Sequence, residues 1–202
     1  MSLHLSIEHF RKNPRFKPLI KKYGPPDLSP GKNHFQALAR SIIHQQVSGK
    51  AAQSIYNKFV GLFGYKNKFP SPEVVRKTPI KKLRTAGLSG QKASYIHDLA
   101  VKFTDGTIEH KTIHKLTNEE VIEHLTQVKG IGEWTAHMFL IFTLNRPDIF
   151  PTGDLGIQKG FQIVYGFKSL PSIRTMERLA KHWRAHATAA SWYLWRVADD
   201  AK

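Results

Sequence analysis

The stretch Val128-Lys129-Gly130-Ile131-Gly132-Glu133-Trp134-Thr135-Ala136, followed at a distance by Pro151-Thr152-Gly153-Asp154, decides how this chain is read. Upstream, Leu116 to Val128 has the pattern of a helix. Thr117 is a candidate N-cap, Glu120 stands three residues on as its capping-box partner, and Val121, Ile122, Leu125 and Val128 recur at helical spacing. Downstream, Trp134, Met138, Phe139 and Phe142 make the apolar face of a second helix. Only Lys129 and the Gly-Ile-Gly step separate the two. Two glycines permit a turn that other residues would strain, and they leave the amides at the start of the second helix unobstructed. Unpaired amides and the helix dipole both favour negative charge there. A lone Gly-x-Gly is a tight helix–helix turn and nothing more. With a capped helix before it, a helix after it, a lysine beside it and a basic chain around it, the same step is a candidate anion site.

The charge balance points the same way. Lysine and arginine number 31 against 15 acidic residues, a formal net charge of +16. Such an excess suits a polyanion, nucleic acid ahead of an anionic membrane surface, although charge alone is equally that of a basic protein with no such partner. The chain has no cysteine, which excludes disulfides, thiol nucleophiles and cysteine-ligated iron–sulfur clusters. Eleven histidines are scattered without a compact ligand set, so no catalytic metal is expected. No apolar run is long enough to span a bilayer. The opening Met1-Ser2-Leu3-His4-Leu5-Ser6 lacks a signal-peptide core, so an intracellular protein is expected, in cytoplasm, nucleoid or nucleus.

Nothing in the chain sustains a period-two alternation, and the expected class is all-α, with about ten helices on short connections. Residues 7–23 suggest a helix or two interrupted by Asn13-Pro14 and Pro18. From Asn33 the pattern is firm: Phe35, Leu38, Ala39, Ile42, Ile43 and Val47 share a face, with the polar step His44-Gln45-Gln46 near its end. Ser48 caps the next helix. Ser71-Pro72 opens another, with proline at the first helical position. Gly87-Leu88-Ser89-Gly90-Gln91-Lys92-Ala93 is a second glycine-framed turn, readable as a phosphate contact or as an ordinary interhelical turn. Residues 155–165, 171–186 and 188–198 complete the helices.

These motifs together resemble the helix-hairpin-helix DNA glycosylase superfamily, whose hairpin is followed by a glycine/proline-rich stretch ending in an aspartate. Here Asp154 stands about twenty residues after the hairpin and opens the next helix. The steps Ile42-Ile43-His44-Gln45-Gln46-Val47-Ser48, Gly87 to Ala93, Gly132 to Ala136 and Ser191-Trp192-Tyr193-Leu194-Trp195-Arg196 are most similar to the alkylation-repair branch, the 3-methyladenine DNA glycosylase II type. The resemblance covers roughly residues 30–200. It implies a single unit of two helical lobes with an active-site cleft between them. Lobe A would take about 1–30 plus 146–202, and lobe B about 31–145 with the hairpin 128–132.

The resemblance also implies a site. Asp154 would be the catalytic carboxylate, stabilising positive charge on the deoxyribose as the N-glycosidic bond breaks; its plainer reading is a helix N-cap. Bifunctional members place a lysine where this chain has Trp134, and an indole cannot form a Schiff base, so a monofunctional enzyme without lyase activity is implied. Trp134, Trp195, Gln45 and Met138 would line the base pocket, Met138 replacing a tyrosine of the bacterial archetype; an isolated Trp134 would read as a core aromatic. Gln46, with His44, would form the wedge that fills the gap left by a flipped base. Ser89, Gly90, Lys92, Lys129, Gly130, Ile131 and Gly132 would hold the DNA backbone, with Lys159 a further candidate. The archetype's Pro-x-Arg-Ser before the last helix is replaced by Ala185-His186-Ala187-Thr188. The expected activity is excision of alkylated purines, 3-methyladenine and 7-methylguanine, from double-stranded DNA in base excision repair, by a monomer that leaves an abasic site. No cofactor and no iron–sulfur cluster is implied, and a structural monovalent cation on the hairpin carbonyls is the one ion that relatives suggest. A glycosylase for deaminated or oxidised bases and a non-catalytic helix-hairpin-helix DNA-binding module are the competing readings.

Overall fold

The computed structural model describes residues 3–64 and 68–201, so the first two residues of the N-terminal stretch lie outside it. Among the described residues there are twelve α-helices, two short 3-10 segments and no strand. None of the helices is long and apolar enough to cross a membrane. The chain separates into two compact units. One runs to Pro30 and resumes at Leu140; the other is Gly31–Phe139.

The second unit holds α3 (His34–His44), α4 (Gly49–Gly61), α5 (Pro72–Arg76), α6 (Ile80–Arg84), α7 (Gly90–Thr104), α8 (Asn118–Thr126) and the greater part of α9 (Glu133–Phe142). Side-chain caps fix several starts. Asn33 accepts from the Gln36 amide, Ser48 from Ala51 and Ser89 from Lys92. Thr117 and Glu120 close the expected capping box, at 3.2 and 2.7 Å. Each cap stabilises its helix by about 1 kcal/mol. The core is built on α3 and α7: Phe35, Leu38 and Ile42 of the one, Ile96, Leu99 and Phe103 of the other, all buried. Each such side chain contributes roughly 1.5–3 kcal/mol by leaving water.

The first unit holds α1 (Leu3–Arg11), α2 (Lys17–Tyr23), α10 (Leu155–Tyr165), α11 (Ile173–Ala180) and α12 (Ala187–Asp200). Pro18 does not interrupt a helix. It occupies the first turn of α2, where its missing amide costs no hydrogen bond. Residues 171–186, expected as one helix, are α11 followed by a 3-10 segment, Lys181–His186, in which Trp183 leaves helical geometry at φ −126°, ψ 17°. The departure carries the fully buried Trp183 ring into an aromatic cluster with Phe10, Phe16 and Phe150 and lets its Nε1 donate to the Tyr165 hydroxyl at 3.0 Å. Below it, α10 and α12 cross at backbone contact. A Cβ on Gly160 would come within 2.1 Å of the Leu194 carbonyl oxygen.

The division between units falls inside α9, after Phe139, and not near residue 145 as the sequence suggested. Leu140 and Ile141 are buried, and the Arg146 amide returns to the Leu140 carbonyl at 2.9 Å, so the last turn of α9 and the loop after it close together.

Candidate active site and DNA-contacting hairpin

In the Gly31–Phe139 unit, the hairpin joins α8 to α9. Val128 and Ile131 are buried, and the Ile131 amide donates to the Val128 carbonyl at 3.0 Å. Ile131 was expected among the backbone-gripping residues; with its side chain buried and its amide given to the Val128 carbonyl, it anchors the turn. Gly130 has φ +83°, and a Cβ there would fall 2.0 Å from the Tyr95 ring. Its glycine is a requirement of packing as well as of conformation. Gly132 differs: nothing lies within 4 Å of where its Cβ would be. The amides of Gly132, Glu133 and Thr135 precede the first intrahelical hydrogen bond of α9, which Ala136 makes to Gly132 at 3.0 Å. The Lys129 side chain is exposed, while its amide donates to the Asp98 carboxylate at 2.9 Å. Ser89 and Gly90 are exposed at the start of α7, with open space beside Gly90.

The end of α3 is tied to this hairpin. Gln45, expected on the pocket side, donates its amide to the Gly130 carbonyl at 2.8 Å, so that half of its carboxamide belongs to the hairpin. Lys92, expected as a phosphate contact, turns inward. Its ammonium donates to the Ile43 and Gln45 carbonyls at 2.8 and 2.5 Å, satisfying groups that the end of a helix leaves open. His44 does not project as a wedge. Its Nε2 is buried without a hydrogen-bond partner, and burial, with Arg40 and Lys92 nearby, holds the ring below the ordinary histidine range and therefore neutral. Gln46 is the exposed residue of the three, at φ +52°, a left-handed conformation that costs a non-glycine residue roughly 1–3 kcal/mol. Trp134, in the first turn of α9, is 51% exposed and is no core aromatic. Met138, one turn further on, is half-buried, and burial also keeps His137 below its usual range, against the pull of Glu133.

In the other unit, the loop 146–153 is fixed before the acid is reached. Thr188 accepts from the Ile149 amide at 3.1 Å and donates to the Arg146 carbonyl at 2.6 Å, its own amide reaches Pro147, and Ser191 donates to the Ile149 carbonyl. Thr188 belongs to the stretch Ala185-His186-Ala187-Thr188 that replaces the bacterial archetype's Pro-x-Arg-Ser, and it fastens the loop. Asp154 then caps α10. Its Oδ1 accepts from the Ile157 amide at 2.9 Å and from the indole Nε1 of Trp195 at 2.9 Å. Trp195 was expected only as a pocket wall. Its N–H is spent on the acid, and one face stacks on Phe142 at 5.9 Å, 24° from parallel. Gly156 makes the pair fit, since a Cβ there would stand 2.9 Å from Trp195 Cδ1 and 3.0 Å from Asp154 Oδ1. Sequence reasoning passed over Gly156 and gave Phe142 no part in the site. A glycine two residues past the acid, inside a helix that alanine would favour, was the available signal. Lys159 is exposed on the same helix. Among the described residues no group of three or more histidine and acidic side chains could hold a metal.

Residues 39–185 match the family model of the HhH-GPD superfamily base excision DNA repair proteins. Over 188 residues the chain is 37% identical to DNA-3-methyladenine glycosylase 1 of Schizosaccharomyces pombe, covering 91% of this chain and 81% of that protein. Among solved structures, the DNA-3-methyladenine glycosidase of Bacillus halodurans superposes with a TM-score of 0.86 at 33% identity, over 96% of this chain and 88% of the other. The S. pombe 3-methyladenine DNA glycosylase in complex with abasic DNA gives a TM-score of 0.81 at 34% identity, over 95% of both chains. The chain belongs to the HhH-GPD superfamily of base excision DNA repair proteins.

Proposed function

We propose that this chain is a monofunctional DNA N-glycosylase that excises alkylated purines, 3-methyladenine and 7-methylguanine among them, and leaves an abasic site. The observation that carries the reading is the Asp154 carboxylate, held at the N-terminus of α10 by the Ile157 amide and the Trp195 indole. Relatives named as 3-methyladenine glycosylases, one of them solved with abasic DNA, support it.

Alkylation at N3 or N7 makes the purine cationic and a good leaving group. The C1′–N bond breaks heterolytically, the electron pair leaves with the base, and positive charge spreads over the ring oxygen and C1′ of the sugar. A carboxylate oriented beforehand stabilises that charge without having to reorganise. Water then adds at C1′ and loses a proton, giving the free base and an abasic sugar. Trp134 offers an exposed electron-rich face to the cationic base, a contact worth about 0.5–2 kcal/mol. Because residue 134 is a tryptophan, no amine is available there for a Schiff base, and strand cleavage does not follow.

The hairpin amides, Lys129 and the start of α7 grip one strand, and Gln46 fills the space of the flipped base. No cofactor takes part in bond cleavage. The hairpin carbonyls of Val128 and Gly130 each keep a second lone pair beside the hydrogen bond they accept, which suits a structural monovalent cation. DNA affinity in potassium against a bulky organic cation at equal ionic strength tests that part. The main test is chromatography of bases released from methylated DNA, followed by alkali. Wild type should release methylpurines and cut the strand only after alkali. Asp154→Asn, which keeps an oxygen to cap α10, should be at least ~100-fold slower. Equal release by both proteins would refute the role of Asp154, and a panel of single-lesion duplexes sets the range.

A further inference from the structure

We infer that Lys92 is a positioning residue that holds the Gln46 wedge in register with the hairpin, and that it does not contact DNA phosphate. The inference rests on the proposed glycosylase reading for its purpose but not for its geometry. An ammonium has three donors, and two of them are committed to the Ile43 and Gln45 carbonyls at the end of α3. That is the negative end of a helix dipole, where a cation is favourable. Burial lowers the affinity of this amine for its proton, as expected of a charge turned away from water.

From Lys92 the contacts form a closed circuit. Gln45, whose carbonyl Lys92 holds, gives its side-chain amide to the Gly130 carbonyl. Gly130 lies against the Tyr95 ring so closely that no Cβ fits between them. Tyr95 is one turn beyond Lys92 on α7 and accepts a hydrogen bond from Gln91 at 2.6 Å. One turn further, Asp98 takes the Lys129 amide. A single face of α7, spaced 92, 95 and 98, therefore receives both the end of α3 and the hairpin.

Gln46 lies between two fixed points. Gln45 before it is held by Lys92, and Ser48 after it caps α4. With φ +52° and an exposed side chain, it is the one residue of this link aimed by its neighbours rather than by its own preference. The hairpin registers the protein on a phosphate; the circuit transmits that register to the residue that must enter the stack.

The experiment compares wild type, Lys92→Met, Gln46→Ala and the double variant, with melting curves to certify folding. Binding to undamaged duplex is measured across salt, and base flipping is read from 2-aminopurine fluorescence at saturating protein. Lys92→Met should leave the salt slope unchanged and lower the flipping signal and the single-turnover excision rate about 10-fold, a modest cost for a misplaced group. In the Gln46→Ala background the same change should cost almost nothing, because both act through one side chain. A slope reduced by about 0.9 would make Lys92 a phosphate ligand, and additive losses would break its link to Gln46; either overturns the inference. If Lys92→Met fails to fold, Lys92→Gln, whose shorter side chain keeps an NH2 group to donate to a carbonyl, should flip less than wild type, and a Lys92→Gln protein with wild-type flipping would overturn the inference as well. Flipping can be read without chemistry, so a wild type that flips but excises nothing refutes the glycosylase reading alone.

Discussion

At the scale of single residues, Gly156 controls how the acid is presented. Its hydrogen leaves room for Trp195 to reach Asp154. Gly156→Ala should raise helix propensity by up to about 1 kcal/mol, yet displace the indole and break a hydrogen bond to a charged group worth about 1.5–3 kcal/mol. The expected outcome is a melting temperature within a few degrees of wild type and single-turnover excision about 10- to 100-fold slower. An alanine variant at wild-type rate would show that the Trp195 contact does not matter. As the cap of α10, Asp154 was readable because an aspartate after Gly153 and before Leu155 announces itself locally; its reading as the catalytic acid rested on the hairpin upstream. Gly156 was not readable, since the reason for it is a side chain far along the chain. The inward turn of Lys92 was hidden likewise: a lysine beside a Ser-Gly turn reads as a phosphate ligand until the end of α3 is seen against it.

At the scale of elements, the two glycines of the hairpin separate into different tasks. Gly130→Ala meets both a positive φ and the Tyr95 ring at 2.0 Å, and should destabilise the fold by about 2–4 kcal/mol. Gly132→Ala meets neither; it should melt like wild type and, on the proposed reading of the hairpin, bind DNA more weakly, because a methyl group then stands beside the amides at the start of α9. Thermal melts and duplex titrations of the pair check this, and equal destabilisation would refute it. The capping box of α8, the Ser48 cap of α4 and the bounds of α10 were legible because each depends on residues within four positions. The break at Trp183 was not. Helical spacing continues through 171–186, and only the pull of Phe10, Phe16 and Phe150 on a buried indole turns the chain aside.

At the scale of the whole molecule, charge and protonation act together. A net +16 predicts duplex affinity that falls steeply with salt. Burial holds His34, His44, His137 and His186 below their usual range. A folded state that resists protonation loses ground when the unfolded chain accepts protons, which begins as pH falls through about 6.5. Stability should therefore be full above that range and decline toward pH 5. His34→Gln should flatten the decline in melts run from pH 7.5 to 5, and a melting temperature independent of pH would contradict the burial of these rings. Net charge pointed to a polyanion partner, and the lack of any period-two alternation to an all-helical chain. The place where the chain divides inside α9 was beyond both, because a helix that serves two cores has one unbroken pattern.

The crossing of α10 on α12 sets a bound on how such a protein can change. Where Gly160 meets the Leu194 carbonyl there is no cushion of side chains to compress or re-cut, so at this crossing the rod bearing Asp154 can come no nearer to α12. A side chain at position 160 would force the two rods apart and carry the acid off its station.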